Sequence, residues 1–311
     1  MTLRILEPGP LSLIQDLGRF GYQNIGVSPG GPMDEHAFSW ANRLLDNPLN
    51  DPQIEINLGS FHCEFQLPTT IAITGANMSA ELNGVAIQPW QSYSIQTGDQ
   101  LSFKGARSGV RAYLAVRGGL DIPEILGSCA TVVRDQLGGL HRDGKQLCAG
   151  DCLHYPVSKP VLTKQVPDEF IPEYCQDITL EVIPGYQYEW FGRQERQRFF
   201  NSVYCVTPQI DRMGYRLSGE AIQCQRQNLV SEGIAPGAIQ IPADGQPIIL
   251  MRDRQTMGGY PKIGCVTAGS LNKLAQCQPG GTIRFVKKDL YKAEAGYRVE
   301  KQFFCGISHS A

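Results

Sequence analysis

Short apolar runs separated by turn residues constrain the fold of this 311-residue chain more strongly than any other feature. Runs of four to six residues with strand-like composition alternate with Gly, Pro or Asn-Gly, and helical periodicity is rare. Strands this short favour closed barrels over a parallel sheet with crossover helices. The runs cover residues 54–58, 64–67, 70–74, 92–96, 100–104, 111–116, 178–183, 238–241, 248–251 and 282–286.

The clearest helical pattern covers residues 34–45. Asp34 is suited to cap the N-terminus of this helix, and Glu35 complements the helix dipole. Asn47 and Pro48 end the pattern, because the residue before a proline is disfavoured in a helix. Shorter helices are predicted for residues 188–200 and 270–276. The sequence therefore predicts a mainly β fold with a few short helices.

A faint internal repetition indicates two domains of related architecture. Segments 98–103, 150–155 and 280–285 each follow the pattern Gly-x-x-aliphatic-x-aromatic, and 311 residues are enough for two ordinary cores. Residues 156–174 carry four prolines and little pattern, which is typical of a linker. We therefore predict barrel domains at residues 1–165 and 166–311.

Composition excludes several function classes. The 28 Lys and Arg against 30 Asp and Glu give a formal net charge of −2 without a block of one sign, which argues against binding nucleic acid or an anionic membrane surface. No apolar run is long enough to span a membrane, and the N-terminus does not resemble a secretory signal. The ten scattered cysteines are expected to be free and mostly buried. The sequence predicts a cytoplasmic protein.

The segment GVSPGGPMD at residues 26–34 is a candidate binding loop. Gly30 and Gly31 would let the backbone approach a ligand closely, and the amides at the start of the following helix would face an anion or a carbonyl oxygen. Met33 and Asp34 complete this candidate set. The alternative interpretation is a tight turn that Asp34 merely caps.

A second candidate is the small-residue corner at residues 74–77, directly after an apolar strand. It presents Asn77 at the strand end, where a pocket wall and an ordinary turn are equally consistent with the sequence.

The strongest candidate segment covers residues 231–261. Gln240 lies inside an otherwise apolar strand, where its amide must find partners. Asp253 and Thr256 leave a strand and enter a Gly-Gly turn, a position where barrels display functional groups. The alternative is a buried glutamine satisfied by the backbone and a turn-capping aspartate. The candidates in this segment are Gln240, Asp253, Thr256, Gly258, Gly259 and Tyr260.

Several motifs are missing from the sequence. It contains no GxxxxGK[ST] phosphate loop, no GxGxxG and no Met-Lys-Met stretch, so we predict no nucleotide cradle and no biotin attachment site in this chain. Cys148 and Cys152, with His141 and His154 nearby, lack the second clean ligand pair of a zinc site. We therefore predict no metal.

The sequence resembles the allophanate-hydrolase subunit 2 family, also called the biotin-dependent carboxyltransferase-like family. The resemblance covers nearly the whole chain and rests on several separate motifs. These are IQDLGR (14–19), GVSPGGPMD (26–34), TGA (74–76), GVRAYLAVRGG (109–119), GSCAT (127–131), DRMGYRL (211–217) and GGYP (258–261).

The resemblance implies two cyclophilin-like β-barrel domains and a small-molecule substrate. Free-standing members of this length resemble one component of an ATP-dependent complex that opens 5-oxo-L-proline to L-glutamate with ATP hydrolysis. ATP would then be a co-substrate of the complex, whose other members are a subunit-1-like protein and a lactam-utilisation protein. Two alternatives stay open: a carboxyltransferase-type protein that acts on urea or another amide with biotin on a separate chain, and a regulatory protein that antagonises a kinase inhibitor.

The implied chemistry assigns roles within the candidate set. A lactam is resonance-stabilised, so its activation needs donors aimed at the carbonyl oxygen and an acceptor for the N–H. The amides of the two Gly-Gly turns would supply donors, Asp34 or Asp253 would accept the N–H, and Gln240 would orient the group. We expect Asp253 to be an accessible carboxylate whose replacement leaves stability nearly unchanged.

Overall fold

The computed structural model divides into two compact units. The first unit comprises Met1–Phe20 and Pro29–Tyr174, and the second comprises Gly21–Ser28 and Cys175–Ala311. Within them the structure describes residues 2–157, 162–226 and 229–306. The chain passes into the second unit after Tyr174, whereas the boundary predicted from the sequence follows residue 165. Residues 158–161 of the predicted linker lie outside the described residues.

The strands of the first unit form two sheets. Their orders are β11-β1-β4-β9-β6-β7 and β2-β3-β10-β5-β8. The bounds are β1 (Thr2–Pro8), β2 (Leu11–Gln15), β3 (Gln53–Asn57), β4 (Phe61–Phe65), β5 (Thr69–Asn77), β6 (Ala80–Leu82), β7 (Val85–Ala86), β8 (Gln91–Ile95), β9 (Gln100–Phe103), β10 (Ser108–Val116) and β11 (Cys152–His154).

The hydrophobic core of the first unit is built from alternate strand positions. Leu3 and Ile5 on β1 and Ile54 and Ile56 on β3 have no exposed surface, and all four belong to one cluster. Because successive side chains of a strand point to opposite faces, this spacing turns one face of each sheet toward the shared core. Burying each such side chain stabilises the fold by about 1.5–3 kcal/mol.

Helix α1 (Glu35–Leu44) of the first unit confirms the predicted helix and its cap. Asp34 is the N-cap, and its Oδ1 accepts a hydrogen bond from the amide of Ala37 at 3.1 Å. The cap satisfies an amide that has no partner within the helix, which is worth about 1 kcal/mol. A short 3₁₀ helix at Asp168–Phe170 lies later in the same unit.

The second unit is a closed barrel of seven strands in the order β12-β19-β16-β17-β14-β13-β20. Parallel pairing of β12 with β20 closes the ring. A short ladder of β15 with β18 lies outside it. The bounds are β12 (Asp177–Pro184), β13 (Tyr204–Ile210), β14 (Gly214–Ser218), β15 (Glu232–Gly233), β16 (Ala238–Gln240), β17 (Ile248–Leu250), β18 (Met257–Gly258), β19 (Lys262–Val266) and β20 (Thr282–Lys287).

The helices of the second unit are short except for the last. They are α2 (Arg193–Asn201), α3 (Ala268–Ala275) and α4 (Leu290–Cys305), with 3₁₀ turns at Gln23–Ile25 and Tyr188–Trp190. Sequence reasoning missed α4, none of whose residues is buried. The sequence signal that could have indicated this helix was Asp289, a residue type that favours the N-cap position. Asp289 is the N-cap of α4, and its Oδ1 accepts a hydrogen bond from the amide of Lys292 at 3.1 Å.

The predicted fold class is confirmed, since the protein is mainly β, with 35% strand against 17% helix, and contains a closed barrel. Within the described ranges, no helix combines the length and apolar character needed to cross a membrane.

The thiols are less buried than expected. None of the ten cysteines forms a disulfide bond, but four are exposed and three are half-buried. The buried ones are Cys63, Cys129 and Cys277.

The aromatic core of the barrel gives a first prediction. Phe199 of α2 is fully buried and stacks on Phe285 of β20 with ring centroids 4.4 Å apart. Phe199→Ala should lower the free energy of unfolding by about 3–5 kcal/mol, because it leaves a cavity between α2 and the barrel. The matched control is Phe20→Ala, which truncates a side chain that is 69% exposed and should change stability by less than about 0.5 kcal/mol. Equal losses in urea denaturation would contradict this packing.

Candidate functional site

The Gly30-Gly31 turn lies against the first unit's own chain. Both glycines have positive φ, at 70° and 98°. A Cβ at Gly30 would lie 2.8 Å from Cγ2 of Val132, and one at Gly31 would lie 2.9 Å from the carbonyl oxygen of Leu17. The Gly31 amide donates to Oε1 of Gln15 at 3.1 Å. These close approaches explain the glycines without a ligand, and one of the predicted donors is already engaged.

Met33 and Asp34 lie in a buried hydrogen-bond network of the first unit. The Met33 amide and the Tyr113 hydroxyl both donate to Oε2 of Glu55 at 2.8 Å. The Tyr113 hydroxyl in turn accepts from the Asp34 amide at 2.8 Å. Burial raises the pKa of Tyr113 well above its ordinary value, and the carboxylates of Glu55 and Asp34 raise it further. The network therefore holds Tyr113 as a neutral donor.

The Asp34 carboxylate is committed to local contacts. Its side chain is buried, Oδ1 caps α1, and Oδ2 accepts from the Tyr174 hydroxyl at 2.8 Å. These contacts favour the capping interpretation of Asp34.

Asn77 has the contacts of a turn residue. Its Oδ1 accepts from the amide of Ser79 at 3.1 Å, and its carbonyl oxygen accepts from the amide of Arg107 at 2.7 Å. A side-chain oxygen that binds the backbone two residues later is an Asx turn, which is the ordinary alternative for this corner.

Gln240 and Gly258, two candidates from the segment at residues 231–261, lie close together in the second unit. Gln240 is 1% exposed, and its Nε2 has no hydrogen-bond partner among the described residues. A Cβ at Gly258 would lie 2.9 Å from that nitrogen and 2.6 Å from Cδ1 of Ile234. The amide therefore packs directly against the Gly258 backbone. A buried donor without a partner costs about 1–3 kcal/mol, so the backbone-satisfied alternative does not account for Gln240.

Asp253 corrects the expectation of an accessible carboxylate. It is 2% exposed and forms a two-bond pair with the Arg212 guanidinium, in which Nε donates to Oδ2 and Nη2 to Oδ1, both at 2.9 Å. The expectation failed because the turn after β17 folds inward against the turn before β14, where the Asp253 amide also donates to the Arg212 carbonyl at 2.8 Å. Replacing Asp253 must therefore affect stability.

The remaining candidates of this segment differ in exposure. The Thr256 carbonyl accepts from the Ile234 amide at 3.0 Å, and a Cβ at Gly259 would lie 3.0 Å from the carbonyl oxygen of Leu229. Tyr260 is 48% exposed. The ladder of β15 and β18 thus fixes Thr256, Gly258 and Gly259, while Tyr260 is the candidate most accessible to solvent.

Sequence reasoning missed a polar cluster on β19 and β15. The Lys262 ammonium lies 2.5 Å from Oε1 of Glu232 and donates to the Tyr260 carbonyl at 3.3 Å. Gln187 donates to the same Glu232 oxygen at 2.6 Å, and its Oε1 accepts from the Lys262 amide at 2.6 Å. Lysine usually lies at the surface, yet Lys262 is 8% exposed. The available signal was a lysine directly after the GGYP motif at the start of an apolar strand.

The charges of this cluster stabilise one another. Partial burial raises the pKa of Glu232, but hydrogen bonds from Lys262 and Tyr186 outweigh that effect, so the pKa is lowered overall. Glu232 is therefore an anion near neutral pH. Within residues 2–157, 162–226 and 229–306, no three His, Cys, Asp or Glu side chains cluster in a way that could hold a metal ion.

The family model named carboxyltransferase domain, subdomain A and B, matches residues 25–287. The chain therefore belongs to this carboxyltransferase-domain family, and its fold and motifs agree with that membership.

Two groups of relatives are similar to the chain. The C subunit of 5-oxoprolinase from Escherichia coli (strain K12) is 35% identical over 97% of this chain and 96% of that protein. The urea amidolyase of Saccharomyces cerevisiae is 33% identical over 92% of this chain but only 16% of that protein. The crystal structure of the K. lactis urea amidolyase has a TM-score of 0.91 and 30% identity, covering 99% of this chain and 20% of that one.

The buried pair in the second unit gives a second prediction. Asp253→Asn removes the charge that balances Arg212 and should lower the free energy of unfolding by about 3–5 kcal/mol. The matched control is Asp244→Asn, since Asp244 pairs with Arg216 at the surface and such pairs contribute about 0–1 kcal/mol. Urea denaturation of both variants measures the difference. An Asp253→Asn variant as stable as Asp244→Asn would contradict the buried pair.

Proposed function

We propose that this chain is one component of an ATP-dependent 5-oxoprolinase complex that opens 5-oxo-L-proline to L-glutamate. The observation that carries the proposal is the end-to-end similarity to the C subunit of the Escherichia coli 5-oxoprolinase, which leaves no large part of either chain unmatched. The corresponding 5-oxoprolinase chain of Haemophilus influenzae is 36% identical over 93% of this chain. The proposed location is the cytoplasm.

A second candidate function is carboxyl transfer to urea or another amide, with biotin on a separate chain. It is supported by the TM-score of 0.91 to the K. lactis urea amidolyase and of 0.90 to the Kluyveromyces lactis urea carboxylase. This chain spans 20% and 29% of those two proteins. The 5-oxoprolinase proposal is preferred because the identity to the two 5-oxoprolinase C subunits is higher, at 35% and 36% against 30% for the two K. lactis proteins.

The proposed chemistry uses the unpartnered amide of Gln240. A donor held in a buried site lowers the energy of negative charge that develops on a lactam carbonyl oxygen, and it needs no reorganisation during the reaction. Asp253 is the proposed acceptor for the lactam N–H, because an ionised carboxylate only accepts hydrogen bonds and this one lies in the same segment as Gln240. In this proposal Gln240 donates, whereas the sequence assigned it an orienting role.

The proposed partners are a subunit-1-like protein and a lactam-utilisation protein, with ATP as a co-substrate of the complex. The purified chain should hydrolyse neither ATP nor 5-oxo-L-proline, while the three proteins together should form L-glutamate only when ATP is present. Coupled assays of phosphate and glutamate release measure both. Rapid ATP hydrolysis by the chain alone, or a three-protein complex that instead carboxylates urea from a biotin carrier, would contradict the proposal.

Gln240→Leu separates function from stability. Removing a buried donor that has no partner should leave the melting temperature unchanged or raise it, because the desolvation cost disappears. The same change should lower kcat/KM of the reconstituted complex about 100-fold or more, as removal of one preorganised donor does in other enzymes.

Gln96→Leu is the matched control, because Gln96 is an exposed residue of the first unit. This substitution should change neither the melting temperature nor kcat/KM. Wild-type kcat/KM in Gln240→Leu would remove Gln240 from the proposed site.

A further inference from the structure

Lys262 has one ammonium proton that no described group accepts. Its Nζ contacts Glu232 and the Tyr260 carbonyl, while an ammonium carries three donors. The side chain is only 10% exposed, so most of its surface is removed from bulk water. The chain therefore holds a nearly buried cation with unused donor capacity.

Lys262 and Gln240, whose amide nitrogen has no described partner, lie on paired strands. Gln240 and Lys262 are direct partners in the pairing of β16 with β19, so their side chains leave the same face of the barrel with Cβ atoms about 5 Å apart. Gly258 contacts the Gln240 amide and pairs with Glu232 across β15 and β18, and Glu232 binds Lys262. These contacts link Gln240, Lys262, Glu232 and Gly258 in a closed ring. Two donors in this ring, the Gln240 amide and one proton of the Lys262 ammonium, have no described acceptor.

Gln255 adds a further amide to this ring. A Cβ at Gly258 would lie 3.5 Å from Nε2 of Gln255. The groups that lack a partner here, Gln240 Nε2 and one proton of Lys262, are donors, so a ligand that satisfies them must supply oxygen acceptors. Because Glu232 already neutralises Lys262, a ligand with one negative charge suits the site better than a doubly charged phosphate.

We propose that Lys262 binds the carboxylate of a small carboxylic acid whose carbonyl oxygen is bound by Gln240, and that Glu232 positions the ammonium. This inference rests on the proposed function to the extent that 5-oxo-L-proline carries both groups on one ring. Glu232 holds the ammonium in place but also competes with the ligand for it. Removing the charge of Glu232 should therefore strengthen binding, whereas a residue with a purely structural role would weaken it.

The test is calorimetric titration of the full chain with 5-oxo-L-proline, with pyrrolidin-2-one, which is the same lactam without a carboxylate, and with inorganic phosphate. We expect 5-oxo-L-proline to bind at least about tenfold more tightly than pyrrolidin-2-one. Lys262→Met should abolish that preference, and Glu232→Gln should lower the dissociation constant of 5-oxo-L-proline. Lys273→Met, an exposed lysine of α3, is the matched control and should bind as the wild type does.

Three outcomes would overturn the inference: no binding of the carboxylate by the wild type, an unchanged preference in a folded Lys262→Met variant, or tighter binding of phosphate. Thermal melting of each variant without ligand identifies misfolding, and Lys262→Gln replaces Lys262→Met if the latter does not fold. If the reconstituted complex lacks 5-oxoprolinase activity while Lys262-dependent carboxylate binding persists, the proposed function fails and the inference stands. If the reconstituted complex is active and its Lys262→Met variant has the wild-type KM, the inference fails and the proposed function stands.

Discussion

The parallel pairing of β12 with β20 closes the seven-stranded ring of the second unit, and the candidate site depends on that closure. A closed ring fixes the neighbours of every strand, because no edge strand is free to shift. β16 is therefore held between β17 and β19, and Gln240 is held opposite Lys262. The short ladder of β15 and β18 then brings Glu232 and Gly258 to the same two side chains.

Buried polar groups in the second unit fall into two kinds. Asp253 and Arg212 satisfy each other with two hydrogen bonds, so they contribute to a well-defined fold. The Gln240 amide has no partner among the described residues, and Lys262 has one donor left over. Such unsatisfied groups cost stability, and proteins accept that cost most often where a ligand completes the hydrogen bonds.

Local signals in the sequence predicted local features well. Asp34 was recognised as a helix cap because the cap and its target amide lie three residues apart. Gln240 stood out because a single amide interrupts an apolar strand, and the structure buries it. The pairing of Asp253 with Arg212 joins residues 41 positions apart and depends on how two turns of the barrel meet, which periodicity does not encode. Lys262 was missed because a lysine at the start of a strand reads as a solvent-facing residue, and its burial follows only from the ladder that covers it.

We infer that the Gln240 amide lacks a partner in the free protein and acquires one from the ligand. The direct measurement is the side-chain amide NMR signal of Gln240, assigned by its absence in Gln240→Leu, during titration with 5-oxo-L-proline. We expect a downfield proton shift and slower exchange of that amide as the ligand binds, with the exposed Gln96 signal unchanged. A Gln240 signal that stays constant while 5-oxo-L-proline binds elsewhere on the chain would contradict this role of Gln240.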